Sequence, residues 1–148
     1  MDNIYFRPID ELNEQFVRKV SLKTTQTTFI ETVDECLAEA AEEPLWHPLA
    51  IYQQDNLIGF AMHGSLGPGS YIWIDRLIID QAYQGLGLGK KAMQKLMEKV
   101  TNDYEVNVLY LSILPENKVG ERLYTQLGFK YTNEKDPNGE LIFEYTVR

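Results

Sequence analysis

The chain has a single cysteine, Cys36, and only two histidines, His47 and His63, in 148 residues. A lone cysteine excludes an internal disulfide, and none of these residues falls at metal-ligand spacing. No apolar run approaches the ~20 residues of a membrane-spanning helix. Met1-Asp2-Asn3 lacks the basic and apolar stretches of a secretory signal. The expectation is a cytoplasmic protein with no metal and no membrane contact. Cationic side chains are missing over one long stretch, with no Lys or Arg from Thr24 to Asp75. That stretch carries Glu31, Asp34, Glu35, Glu39, Glu42, Glu43, Asp55 and Asp75, and the rest of the chain balances, so it holds the whole net charge of −8. Such a field repels nucleic acid and favours a cationic partner. A solvated acidic helix face is the other reading.

What is present is a globular composition, 44% hydrophobic, in a length that fits one domain over residues 1–148. Ile4–Ile9 reads as a strand. Leu12, Phe16, Val17 and Val20 mark a short helix that Asp10 could cap. A second helix covers Thr27–Glu43 and stops at Pro44. Leu49–Gln53 and Leu57–His63 flank the turn Gln54-Asp55-Asn56. Gly64–Ser70 reads as a loop. Tyr71–Ile79 and Val108–Ile113 read as buried strands, and Leu88–Tyr104 carries the apolar stripe of a long helix. Lys118–Leu127 is a further helix with Gly128 as its C′ residue. Lys130–Glu134 and Leu141–Thr146 flank Asp136-Pro137-Asn138-Gly139, a hairpin signal. The predicted class is α/β, a mixed sheet of about seven strands with about four helices, in the order β-α-α-β-β-β-α-β-α-β-β.

Six residues between a strand and a helix carry the chemistry: Gln84-Gly85-Leu86-Gly87-Leu88-Gly89. Strand, glycine loop and helix start together aim backbone N–H groups at a phosphate. A nucleoside-triphosphate loop needs G-x-x-x-x-G-K-[ST], but Gln84 replaces its first Gly and Lys91 its Ser or Thr. The dinucleotide pattern G-x-G-x-x-G has different spacing, and no βαβ opening precedes the loop. Lys90 and Lys91 in the first helical turn oppose the macrodipole unless an anion sits nearby. Two solvated lysines are the alternative.

What remains is Q-x-x-G-x-G, which resembles the pyrophosphate loop of the GCN5-related N-acetyltransferases. Leu77-Ile78-Ile79 and Asp80 through Gly85 are similar to that family's approach to the loop. Asn117 through Phe129 resembles its N-x-x-A-x-x-x-Y-x-x-x-G-F, with Gly120 where Ala is usual, a change that could loosen the helix by up to ~1 kcal/mol. The order of elements also fits the family fold.

The resemblance implies acetyl-CoA as cosubstrate. It implies pyrophosphate on Gln84, Gly85, Leu86, Gly87, Leu88, Gly89 and Lys90, and pantetheine along Leu77, Ile78 and Ile79. A bulge in the family splays the two central strands and frees a backbone N–H for the thioester oxygen, assigned here to Ile78 or its immediate neighbours. Asn117 would contact the coenzyme. Tyr124, seven residues on and on the same helix face, would protonate the leaving thiolate. A Tyr that only packs is the alternative. Asp75 stands in an otherwise apolar strand, where a carboxylate is costly unless paired or functional, and is the candidate base. A purely structural Asp75 stays open. His47 and His63 receive no catalytic role, Trp73 reads as core or pocket wall, and Cys36 as inert.

The acid-only stretch falls on what is the acceptor side in that family. Glu31, Glu35 and Glu39 follow helical spacing and would suit a small cationic amine, with Asp75 at the reacting end. The segments at 29–32, 57–62, 73–80, 83–91 and 110–113 are similar to bacterial spermine/spermidine (diamine) N-acetyltransferases, which implies polyamine acetylation. Another small amine, a peptide or protein amine, and a non-catalytic acyl-CoA binding module remain as alternatives. Family analogy implies a homodimer, for which Leu141–Thr146 is a candidate edge strand.

Overall fold

The computed structural model describes residues 3–20, 33–65, 72–104 and 106–147, with only the backbone of Asp75. The strands are β1 (Ile4–Pro8), β2 (Trp46–Gln53), β3 (Asn56–Ser65), β4 (Ile72–Ile79), β5 (Val108–Ile113), β6 (Lys130–Lys135) and β7 (Leu141–Thr146). The helices are α1 (Glu14–Val17), α2 (Val33–Glu42), α3 (Leu88–Tyr104) and α4 (Lys118–Gln126). The expected order is observed. The expected start of the second helix at Thr27 lies outside the described residues.

The strands form a seven-stranded sheet in the order β1-β2-β3-β4-β5-β7-β6. Among the described residues, only β4 and β5 pair in parallel. The C-terminal strand β7 lies between β5 and β6, so Leu141–Thr146 is not an edge, which corrects the dimer-edge expectation. The chain doubles back through the Asp136–Gly139 turn, and β6 takes the outer place. That edge is polar, and Asn133 with φ +68 interrupts its ladder, as an edge that resists pairing requires.

Two layers of core flank the sheet. Ile72, Ile74, Leu109, Leu111 and Phe143 pack with Ala92, Met93, Leu96 and Val100 of α3 on one face. Tyr124 and Leu127 of the α4 region join that side. Val17, Val33 and Cys36 pack with Ala50, Phe60, Met62 and Ile78 on the other, so α1 and α2 cover the opposite face.

Two elements depart from expectation. β2 begins at Trp46 and runs through Pro48, because β1 pairs only as far as Leu49. The missing proline N–H therefore falls where β2 has no neighbour on that side. The first helix shrinks to one turn. Asp10 accepts from the N–H groups of Leu12 and Asn13, both at 2.8 Å, and Asn13 takes the cap position. Leu12 and Phe16 are exposed rather than part of an apolar stripe.

Candidate active site

β4 and β5 pair over a very short stretch, Ile72 with Leu109 and Trp73 with Tyr110. Beyond it β4 pairs with β3 alone, and the two parallel strands fork. The origin is a bulge. His63 pairs with Ile74 and Met62 with Arg76, so Asp75 is an extra residue with no partner on β3. A bulge bends its strand and shifts side-chain alternation by one. Ile72 and Ile74 face α3 before it, and Leu77 and Ile79 face α3 after it. Ile78 turns to the opposite cluster.

The same phase fixes the backbone groups. Asp80 donates its N–H to the Ile58 carbonyl at 2.8 Å. The Ile78 carbonyl lies so close to Gly59 that an added methyl there would collide with it. Backbone groups alternate sides along a strand, so Ile78 and Asp80 address β3 while Leu77 and Ile79 address the open fork. The expected free N–H is therefore not that of Ile78. Its two neighbours have the required direction.

The glycine loop is folded from its own residues. The Asp80 carboxylate accepts from the Ala82 N–H at 3.1 Å and starts a short turn over Gln81–Tyr83. Gln84 then reaches back, its Nε2 donating to the Ile79 carbonyl at 2.8 Å. Gly85 and Gly87 have φ of +81° and +76°, and an added Cβ at either would meet nothing within 4 Å. Conformation rather than space demands glycine there. α3 starts at Leu88 with no acid in its first turn, leaving its early N–H groups beside an exposed loop.

α4 is held at both ends. The Asn117 Oδ1 accepts from the Gly120 N–H at 2.9 Å as the N-cap. An added Cβ at Gly120 would sit 2.7 Å from Asn117 Nδ2, so glycine makes room for this capping rotamer. At the other end Gly128 has φ +106°. Its N–H donates to the Thr125 carbonyl at 3.1 Å, and that of Phe129 donates to the Tyr124 carbonyl at 3.0 Å. This is a Schellman cap, and it pins Tyr124. Burial pushes the Tyr124 phenol above its ordinary pKa, while the Arg76 charge pulls it down.

The Acetyltransferase (GNAT) family model matches residues 9–129. The chain belongs to the GNAT acetyltransferase family. This acetyltransferase is 32% identical over 146 residues to the spermine/spermidine N(1)-acetyltransferase of Bacillus subtilis, covering 95% of this chain and 96% of that one. Among solved structures it is similar to aminoglycoside acetyltransferase AAC(6')-Ib in complex with coenzyme A, with TM-score 0.79 and 21% identity over 97% and 94% of the two chains. It is also similar to a spermidine N-acetyltransferase chimera from Vibrio cholerae and hSSAT, with TM-score 0.75 and 17% identity over 98% and 96%.

The acetyltransferase thus carries its fork, loop and α4 around one region of the sheet. α3 and α4 lie on one face, and the acid-bearing α2 lies on the other. Glu35 is exposed in the first turn of α2, and Asp34 beside it bridges Arg18 at 2.6 Å. Glu31 lies outside the described residues, as does the side chain of Asp75. Arg76, whose charge acts on Tyr124, has no role that the sequence alone assigns. Its signal was present, a charged pair interrupting an apolar strand, but the bulge that gives the pair meaning is a tertiary feature. His63 is buried beneath the end of α3, with Nδ1 3.2 Å from the Tyr104 hydroxyl.

Proposed function

We propose that this acetyltransferase moves the acetyl group of acetyl-CoA to a primary amine of a polyamine, such as spermidine, spermine or a diamine, by direct attack on the thioester. The observation that carries the reading is the fork opened at Asp75. It offers a free strand edge and an unpaired bulge between a phosphate-type loop on one side and an acid-rich face on the other.

In this reading the N–H groups of Gln84–Gly89, with Lys90, hold the pyrophosphate. The fork-facing groups of Leu77 and the N–H of Ile79, whose carbonyl Gln84 already occupies, hold the pantetheine arm as an added strand would, with Asn117 alongside. A fork-facing N–H beside the bulge stabilises the oxyanion. Asp75 takes a proton from the ammonium, directly or through water, and the neutral nitrogen attacks the carbonyl carbon. The N–C bond forms and the C–S bond breaks. Tyr124 gives its proton to the thiolate, the nitrogen of the new amide gives up its second proton to the phenolate directly or through water, and the Arg76 charge favours that transient phenolate. Glu31 and Glu35 attract the polycation.

Substrate identity is supported by the 32% identity to a spermine/spermidine N(1)-acetyltransferase along almost the whole chain and by the cation-free stretch Thr24–Asp75. The test is CoA release against a panel of spermidine, spermine, putrescine, L-2,4-diaminobutyrate, an aminoglycoside and a lysine peptide. Polyamines are expected to give the highest kcat/KM. Turnover of another amine with none of the polyamines would overturn the assignment.

A further inference from the structure

A row of register partners crosses the sheet just before β4 and β5 part. It runs through Trp46, Gly64, Trp73, Tyr110, Glu144 and Lys130. Ile72 and Ile74, Leu109 and Leu111, and Phe143 and Tyr145 all pack on the α3 side. Alternation therefore places Trp73, Tyr110 and Glu144 on the α2 side. Trp46 packs there too, against the Phe60 and Met62 cluster. Its ring lies over Gly64, where an added Cβ would come within 2.5 Å of it. The Trp73 and Tyr110 ring centroids are 5.3 Å apart at 31°. Both residues are only half-buried, so neither ring is sealed in the core.

Three aromatic rings leading to a carboxylate form a surface for cations. Ring faces carry negative potential and attract an ammonium, most strongly over Trp. Glu144 adds a formal charge two strand spacings from Trp73, about 10 Å. Lys130 lies beyond it with the opposite sign and ends the row. The row adjoins the fork, since Trp73 is the last β4 residue paired with β5 and lies two residues before the bulge at Asp75. A nitrogen must be neutral to attack, so a fixed cation surface beside the reaction point serves a different nitrogen of the same molecule.

We infer that Trp73, Tyr110 and Glu144 form a specificity wall for the acceptor, binding a non-reacting cationic nitrogen of a linear di- or polyamine. The inference rests on the polyamine reading above.

The test compares kcat/KM for spermidine and for butylamine, a primary amine with no second charge. The variants are Trp73→Leu, Trp73→Phe, Tyr110→Leu and Glu144→Gln, each checked by thermal melting and by its KM for acetyl-CoA. Trp73→Leu and Tyr110→Leu are expected to lower kcat/KM for spermidine about 3- to 30-fold, with butylamine and the acetyl-CoA KM little changed. Trp73→Phe keeps a ring and is expected to retain most activity. The loss in Glu144→Gln should shrink as salt rises. Should Trp73→Leu not fold, Tyr110→Leu and Glu144→Gln carry the test. An unchanged spermidine-to-butylamine ratio overturns the wall alone, as does an equal loss on both amines. A wild-type enzyme that acetylates no di- or polyamine removes the polyamine reading and the wall with it.

Discussion

Phe129 donates its backbone N–H to the Tyr124 carbonyl at 3.0 Å, and its ring meets the Tyr124 ring edge-on with centroids 6.0 Å apart. One short segment therefore sets the backbone and the ring of Tyr124 together. Gly128 makes this possible with φ +106°, and an added Cβ there would meet the Tyr145 ring at 3.0 Å. Gly128→Ala is expected to cost about 1–3 kcal/mol and lower the melting temperature accordingly. It should also lower kcat more than it raises the KM for acetyl-CoA. Thermal melts with steady-state kinetics check both effects.

The loop glycines should respond differently to the same methyl group. Gly87 has φ +76°, so Gly87→Ala strains the backbone by about 1–2 kcal/mol. Gly89 is not in that region, and an added Cβ there meets only Ile79 Cγ1 at an ordinary 3.7 Å. Gly87→Ala should weaken CoA binding measured by calorimetry, and Gly89→Ala should leave it nearly unchanged. Equal losses in both would mean that the loop needs bareness rather than the left-handed turn.

His63 gives the fold an acid limit. Its pKa falls from 6.5 to about 4, first through burial, then through the charges of His47 and Lys99, with Asp103 opposing. The folded state thus binds fewer protons than the unfolded state between those values. The His63 contribution to stability is complete above about pH 6.5 and is lost as pH drops toward 4, by up to ~3 kcal/mol. The Tyr104 contact, 3.2 Å from Nδ1, anchors the end of α3. Urea midpoints from pH 7.5 to 4 should show this slope, and His63→Asn should flatten it. A slope unaffected by the variant would assign the acid limit to other groups.

Much of this was legible from residue order. Apolar spacing gives the elements, and Asp136-Pro137-Asn138-Gly139 is a hairpin whose Asp136 side chain accepts from Asn138 and Glu140 at 2.8 and 2.9 Å. Gly85, Gly87 and Gly128 could be read because their conformations are local. The bulge at Asp75 could not, since a register slip exists only between two strands. Without it the phase of Leu77–Ile79 is undetermined, and Ile78 is as good a candidate for the free N–H as its neighbours. The place of β7 inside the sheet is likewise a matter of long-range pairing. So is the Trp73–Tyr110–Glu144 row, whose members are far apart in sequence.

Asp75 is expected to act as a base whose loss changes a pH limb. In Asp75→Asn, kcat/KM for spermidine should fall, and the limb that rises with pH in the wild type should disappear or move upward. The bulge depends on register, so the melting temperature should change little. A wild-type pH profile retained in Asp75→Asn would leave the residue a structural part of the fork.

The central claim is that amine acetylation occurs at the fork with Tyr124 as the acid, and Tyr124→Phe tests it most directly. The substitution removes one oxygen and keeps the ring against Phe129. CoA release with saturating spermidine is the measurement, with CoA affinity determined alongside. The expected result is a fall in kcat of about 10²- to 10⁴-fold with CoA affinity nearly unchanged. Unchanged turnover with CoA still bound would contradict it.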